Sequence, residues 1–202
     1  MFFGFTSSTK SVKGNLKKMK VLLCYMFLSF CIFTVAPTLQ VTMNGPFESC
    51  PDLKNTKLEL TGLKFIQKTD NDFTLNGKYV IKETINGPIS LKINSKKYER
   101  GTWVNSMLNQ NIQDLCSEME KEEKQDEWIR MFQEWTANKK CPFVKKQGEY
   151  KDFYVFNSKN APDILPPNIY GKYKSEARFY QTINGDLMEF GCFIVYLELA
   201  NF

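Results

Sequence analysis

From residue 58 onward, stretches of alternating apolar and polar residues are separated by Asn-Gly pairs, and this pattern points to a mainly β fold. Residues 58–66 alternate. A second β-rich stretch over 73–85 is broken at Asn76-Gly77. Asn86-Gly87-Pro88 turns the chain, and Ile89, Leu91 and Ile93 then alternate with polar neighbours. Both residues of an Asn-Gly pair tolerate positive φ, so each pair is a hairpin signal. Residues 149–156 are aromatic-rich. Residues 161–167 read as an irregular loop, because Pro166 and Pro167 cannot sit in a central strand. Residues 171–183 read as a strand, Asn184-Gly185 as its turn and 190–199 as the return strand. The expected fold class is mainly β, a single-domain β-sandwich or β-cup.

The middle of the chain breaks the pattern. Residues 114–135 lack Gly and Pro, are rich in Glu and Lys, and carry Leu115, Met119, Trp128, Met131, Phe132 and Trp135 at helical spacings. This predicts one helix or two short ones. The acidic residues from Glu118 to Glu127 interleave with Lys121 and Lys124, which reads as ion pairing on a solvated face.

Residues 1–36 hold five lysines and no acid, and Lys17, Lys18 and Lys20 precede an uncharged apolar run over 21–35. A basic start, a short apolar run and a small residue predict a secretory signal peptide with an N-terminal extension over 1–36, cleaved somewhere between 36 and 40. The run is short for a membrane span, which takes ~20 residues. The remaining 37–202 would be one domain. Its charge is balanced: removing the five lysines leaves 22 basic residues against 22 acidic ones, so the net +5 of the whole chain gives no case for nucleic-acid binding.

Cys24 and Cys31 would leave with the leader. Cys50, Cys116, Cys141 and Cys192 remain, an even number that in an exported chain predicts two disulfides, with three connectivities open. The chain contains no histidine. That excludes a Ser-His-Asp or Cys-His centre and a His-ligated zinc. No phosphate-binding glycine loop, nucleophile elbow or calcium loop occurs either. A non-enzymatic protein without cofactor or metal is expected.

Cys141-Pro142-Phe143, Gly148-Glu149-Tyr150, Pro162-Asp163, Gly171-Lys172-Tyr173 and Gly191-Cys192 follow one another in a spacing that resembles the lysosomal ganglioside activators. Arg100-Gly101-Thr102-Trp103 followed by Asp114-Leu115-Cys116 resembles the insect chemosensory B proteins, which are similar to those activators. The resemblance implies a lipid-binding β-cup, an open sandwich with an apolar cavity. It implies the pairings Cys50–Cys192 and Cys116–Cys141. Ile169 and Tyr170 stand where the activators carry a tryptophan near the cup rim.

The implied function is a secreted, extracellular binding protein for a lipid or cuticular-hydrocarbon-like ligand, serving contact chemosensation or a pheromone response. The alternatives are an interaction module acting on a sensory membrane receptor or channel, and a cofactor presenting lipid to a hydrolase. Transient contact with a membrane surface fits each of them. The candidate rim and cavity residues are Trp103, Met107, Leu108, Trp128, Met131, Phe132, Trp135, Ile164, Leu165, Ile169 and Tyr170. For the helical aromatics, ordinary packing on a sheet competes with this role, and for Trp103, placement in the core.

Overall fold

The computed structural model describes residues 39–69, 72–121, 129–157 and 169–201. The expected leader, Trp128, Ile164 and Leu165 lie outside the described residues. Residues from Thr38 to Phe202 form one compact unit.

Among the described residues, ten strands and two short helices follow in order: β1 (Leu39–Met43), β2 (Glu48–Ser49), β3 (Leu58–Gln67), β4 (Asp72–Ile81), β5 (Ile89–Glu99), β6 (Thr102–Asn105), β7 (Gln110–Ile112), α1 (Leu115–Glu120), α2 (Arg130–Gln133), β8 (Lys146–Asn157), β9 (Gly171–Ile183) and β10 (Asp186–Asn201). The larger sheet runs β1-β10-β9-β5-β6, with β2 on β10 and β7 on β5; the smaller runs β3-β4-β8. Every pairing is antiparallel. The sheets face each other as a β-sandwich. Leu58, Leu63, Leu75, Tyr79 and Ile81 of the smaller sheet share one core with Ile89, Leu91, Phe179, Phe190 and Phe193 of the larger.

The period-2 pattern of β9 explains how the large sheet splits its two faces. Tyr173, Ser175, Phe179 and Gln181 are buried, with Ala177 half-buried among them, while Lys172, Lys174, Glu176 and Arg178 alternate outward. Asn184 (φ 51°) and Gly185 (φ 90°) close the β9–β10 hairpin, as the Asn-Gly pair predicts.

Two further Asn-Gly pairs differ from expectation. Asn76-Gly77 lies inside β4, where the register with β8 slips between Leu75 and Gly77. Gly77 sits at φ 136°, and a Cβ there would stand 2.5 Å from the Leu63 Cα. The pair is thus a bulge in a continuous strand and not a hairpin. Asn86-Gly87-Pro88 connects β4 to β5, which lie in opposite sheets, so it is a crossover.

The middle region forms two short helices. Asp114 caps α1, accepting from the Ser117 backbone N–H at 3.1 Å; the Ser117 hydroxyl, donating to the same carboxyl at 2.7 Å, and with it the backbone bond, lower the Asp114 carboxyl below its usual range. Leu115 and Met119 face inward. The acidic stretch is described only in part, and there Glu118 pairs with Lys121 at 2.6 Å.

Cys50 is bonded to Cys192 and Cys116 to Cys141. The first bridge lies on the outer face of the large sheet beside Ile194. Next to it, the Arg178 guanidinium reaches Asp52, Glu176 and Glu189 at 2.7, 2.5 and 2.9 Å. The second bridge ties α1 to the connection that precedes β8. Among the described residues no helix is long and apolar enough to cross a membrane.

Candidate functional site

A cavity of about 260 Å³ lies between the sheets. The large sheet supplies Leu91 and Ile93 from β5, Ser175, Ala177 and Phe179 from β9, and Phe193, Val195 and Leu197 from β10. Leu60, Leu63 and Phe65 of β3 and Tyr150 of β8 face them, Met43 and Phe47 close one side, and Met131, Phe132 and Trp135 cover another. The wall is almost wholly apolar.

Register explains why space remains. On the inner face of β9, Tyr173 and Phe179 flank Ser175 and Ala177. Ser175 stands opposite Ser95 and Val195, and Ala177 opposite Ile93 and Phe193. Ser175 and Ala177, two small side chains on one strand face, leave a hollow that leucine or phenylalanine would fill. Met43, Phe47, Leu60, Phe65, Met131, Val195 and Leu197 are only half-buried although they face the interior. Side chains between packed sheets stay half-exposed where the sheets splay, so these residues mark the mouth.

The segment around α2 is hung from the smaller sheet by main-chain carbonyls. The Tyr150 hydroxyl donates to the Met131 carbonyl at 2.7 Å and the Tyr79 hydroxyl to the Glu134 carbonyl at 3.0 Å. Burial raises the titration of both phenols, most strongly for Tyr150. The Gly148-Glu149-Tyr150 motif acquires a physical meaning here. Tyr79 lies over Gly148, where a Cβ would meet the ring at 2.4 Å. The rings of Tyr79 and Tyr150 then pack 5.0 Å apart. Trp135 packs on Phe132, Phe143 and Phe179 at 5.0, 5.3 and 5.8 Å. Its indole N–H, buried without a hydrogen-bond partner, is close enough to the Tyr150 hydroxyl to favour the phenolate slightly against the larger effect of burial.

The candidate residues separate into groups. Met131, Phe132 and Trp135 line the cavity. Leu108, Ile169 and Tyr170 belong to a second cluster with Val41, Phe73, Tyr173 and Leu199. They border the cavity through Leu197, which is common to both, and do not line it. Trp103 is placed elsewhere. It pairs with Tyr98 across β5–β6, and both side chains lie on the outer face, away from the cavity. The reason is strand parity: Leu91, Ile93 and Ser95 point inward, so Tyr98 and its partner point outward. Met107 is 63% exposed and contributes no wall. Trp128, Ile164 and Leu165 fall outside the described residues.

Sequence reasoning missed Met43, Phe47, Phe65, Ser175, Ala177, Val195 and Leu197. The available signal was two small residues, Ser175 and Ala177, alternating between two aromatics on one strand face. Compared with known proteins, the chain matches no family model and no curated sequence.

Proposed function

We propose that this chain is an exported, non-enzymatic carrier that holds the aliphatic part of a lipid-like molecule between its two sheets, in the manner of the ganglioside activators and chemosensory B proteins it resembles. The observation that carries this reading is the apolar cavity of about 260 Å³ with a half-buried mouth. Taking ~30 Å³ per group, the share of a water in the liquid, it has room for about eight methylene-sized groups. At ~0.8 kcal/mol per buried methylene the gross gain is about 6 kcal/mol, from which the cost of immobilising the bound chain is subtracted. Two disulfides support export to an oxidising compartment. Among the described residues, the lining contains no carboxylate, thiol or lysine. The chemosensory setting rests on the resemblance.

The test is mass spectrometry of organic extracts from the mature protein, secreted by cells fed long-chain lipid and purified with disulfides intact. A stoichiometric aliphatic species is the expected result. A protein that emerges empty and takes up no fluorescent fatty alcohol refutes the carrier reading.

A second reading has its own observation. Trp103 packs against Tyr98 at 5.1 Å and Tyr196 at 6.1 Å on the outer face, with the Lys174 ammonium 5.9 Å from the Tyr196 ring. Such an aromatic and basic surface suits an interaction module that meets a receptor, a channel or a membrane surface. Loss of partner capture in Trp103→Ala, with ligand uptake intact, would favour it.

A further inference from the structure

The outer face of the large sheet carries a second pocket, lined by polar and charged side chains. It measures about 360 Å³ and is bounded by residues 94–96 of β5, Asn105 of β6, Asn109, and Lys174 and Glu176 of β9. A gap in the sheet makes it. β7 covers β5 over 91–93 and β6 covers it over 96–99, and between these stretches the chain leaves the ladder. Side chains and a loop amide close the gap. The Ser95 N–H donates to the Asn109 side-chain oxygen at 2.8 Å, the Ser95 carbonyl accepts from the Ser106 N–H at 3.0 Å, and the Asn109 amide donates to the Ser106 carbonyl at 3.0 Å. A side-chain amide has two N–H donors, so Asn109 keeps one for a ligand while it pins the loop.

Lys96 and Lys174 stand directly opposite each other across β5 and β9. Like charges in that position repel, and neither ammonium is paired with a carboxylate among the described residues. The Lys174 ammonium lies 5.9 Å from the Tyr196 ring, which attracts a cation without neutralising it. Glu176, the acid in the lining, is bonded to the Arg178 guanidinium at 2.5 Å. Asp52 and Glu189, the other acids on that arginine, do not line the pocket. We propose that this pocket binds an oxyanion, a phosphate or sulfate group, seated between the Lys96 and Lys174 ammonium groups with the amides of Asn94, Asn105 and Asn109 around it. The anion turns a repulsive pair into charge-assisted hydrogen bonds. At ~30 Å³ per group the pocket has room for about twelve heavy atoms, and a phosphate accounts for fewer than half of them. The ligand is therefore a monoester with a polar body, whose hydroxyls the second Glu176 oxygen can accept from. The site is on the opposite face of the sheet from the apolar cavity, so the inference does not rest on the carrier reading.

The test is calorimetric titration of the secreted mature protein with glycerol 3-phosphate, inorganic phosphate and glycerol at low ionic strength, repeated on Lys96→Gln/Lys174→Gln. Both lysines are on the surface and repel each other, so this double variant is expected to fold at least as stably as the parent. Glycerol 3-phosphate is expected to bind, to shift the side-chain amide NMR signals of Asn94, Asn105 and Asn109, and to lose at least about tenfold in affinity in the double variant. Inorganic phosphate is expected to bind more weakly than the ester, and glycerol not at all. Lys64→Gln/Lys78→Gln removes the same charge from the exposed surface of the smaller sheet and is expected to keep the parent affinity. Phosphatidylcholine vesicles containing phosphatidic acid present the same group on a membrane. Retention on them that glycerol 3-phosphate displaces assigns the site to a lipid head group, and binding of the soluble ester without retention assigns it to a free molecule; either result supports the site. Equal binding of glycerol and its phosphate, inorganic phosphate binding more tightly than the ester, equal losses in the two double variants, or no binding of phosphate, ester or vesicles at millimolar concentration would each overturn the inference and leave the carrier reading untouched.

Discussion

Ala177→Leu is the substitution that bears most directly on the cavity. Ala177 lies at the centre of β9, between Ile93 and Phe193, and lines the hollow. Leucine adds three heavy atoms. At ~30 Å³ per group these occupy about 90 Å³, roughly a third of the 260 Å³ present. A bound chain then loses room for about three methylenes, ~2.4 kcal/mol, or about a fiftyfold weaker affinity. The added atoms enter empty space, so the folded state is expected to keep or raise its stability, in contrast to the ~1–3 kcal/mol that overpacking a filled core costs. Displacement of a fluorescent fatty alcohol measures the first quantity and urea unfolding the second. Lys172→Leu, on the exposed outer face of the same strand, is the control and should change neither. If Ala177→Leu destabilised the protein by 1–3 kcal/mol and left ligand affinity unchanged, the hollow would not be where the ligand sits, and the reasoning would fail.

Three further outcomes follow from the packing. Gly77→Ala should cost about 3 kcal/mol or more in urea unfolding, because the residue holds φ 136° and its new Cβ would stand 2.5 Å from backbone at Leu63; a loss under 1 kcal/mol would show that the bulge relaxes freely. Burial raises the Tyr150 and Tyr79 phenols above their ordinary value of 10, so the unfolded chain loses these protons first. Their contribution is complete below about pH 10 and declines as pH rises toward the folded-state values. Tyr150→Phe should make unfolding less sensitive to pH between 9 and 11, and at pH 7 should cost ~1–3 kcal/mol for the Met131 carbonyl it leaves without its donor. Replacing Cys116 and Cys141 together by Ser opens a loop of sequence separation 25, which the chain-entropy account values at about 3.5 kcal/mol; calorimetry measures the loss, and weaker ligand retention should accompany it because α1 and α2 are then held less firmly.

Much of the framework was legible in the sequence, and the parts that were not have physical reasons. The β9–β10 hairpin was readable because Asn184-Gly185 sits between two long alternating runs, so local and tertiary signals agree. Asn76-Gly77 carries the same local signal but lies between two neighbouring strands, and pairing with both β3 and β8 keeps the chain extended through it. β2, only two residues long, is defined by its partner β10 and has no period of its own. Within the site, Met131, Phe132 and Trp135 could be picked out as a helical apolar face. Ser175 and Ala177 could not, since a hollow is made by what small side chains fail to fill, and its existence depends on which residues of β5 and β10 lie alongside. Trp103 was misplaced because a single aromatic at a strand end has no parity until its strand is paired.

The way α2 is suspended bears on how the shape of the cavity could change. Tyr79 and Tyr150 grip main-chain oxygens of residues 134 and 131, groups that every amino acid provides. The attachment is therefore indifferent to the side chains it carries. Met131, which faces the cavity, is free to become larger, smaller or branched while the cover stays in place, so the shape of the chamber can be retuned one residue at a time without rebuilding its support.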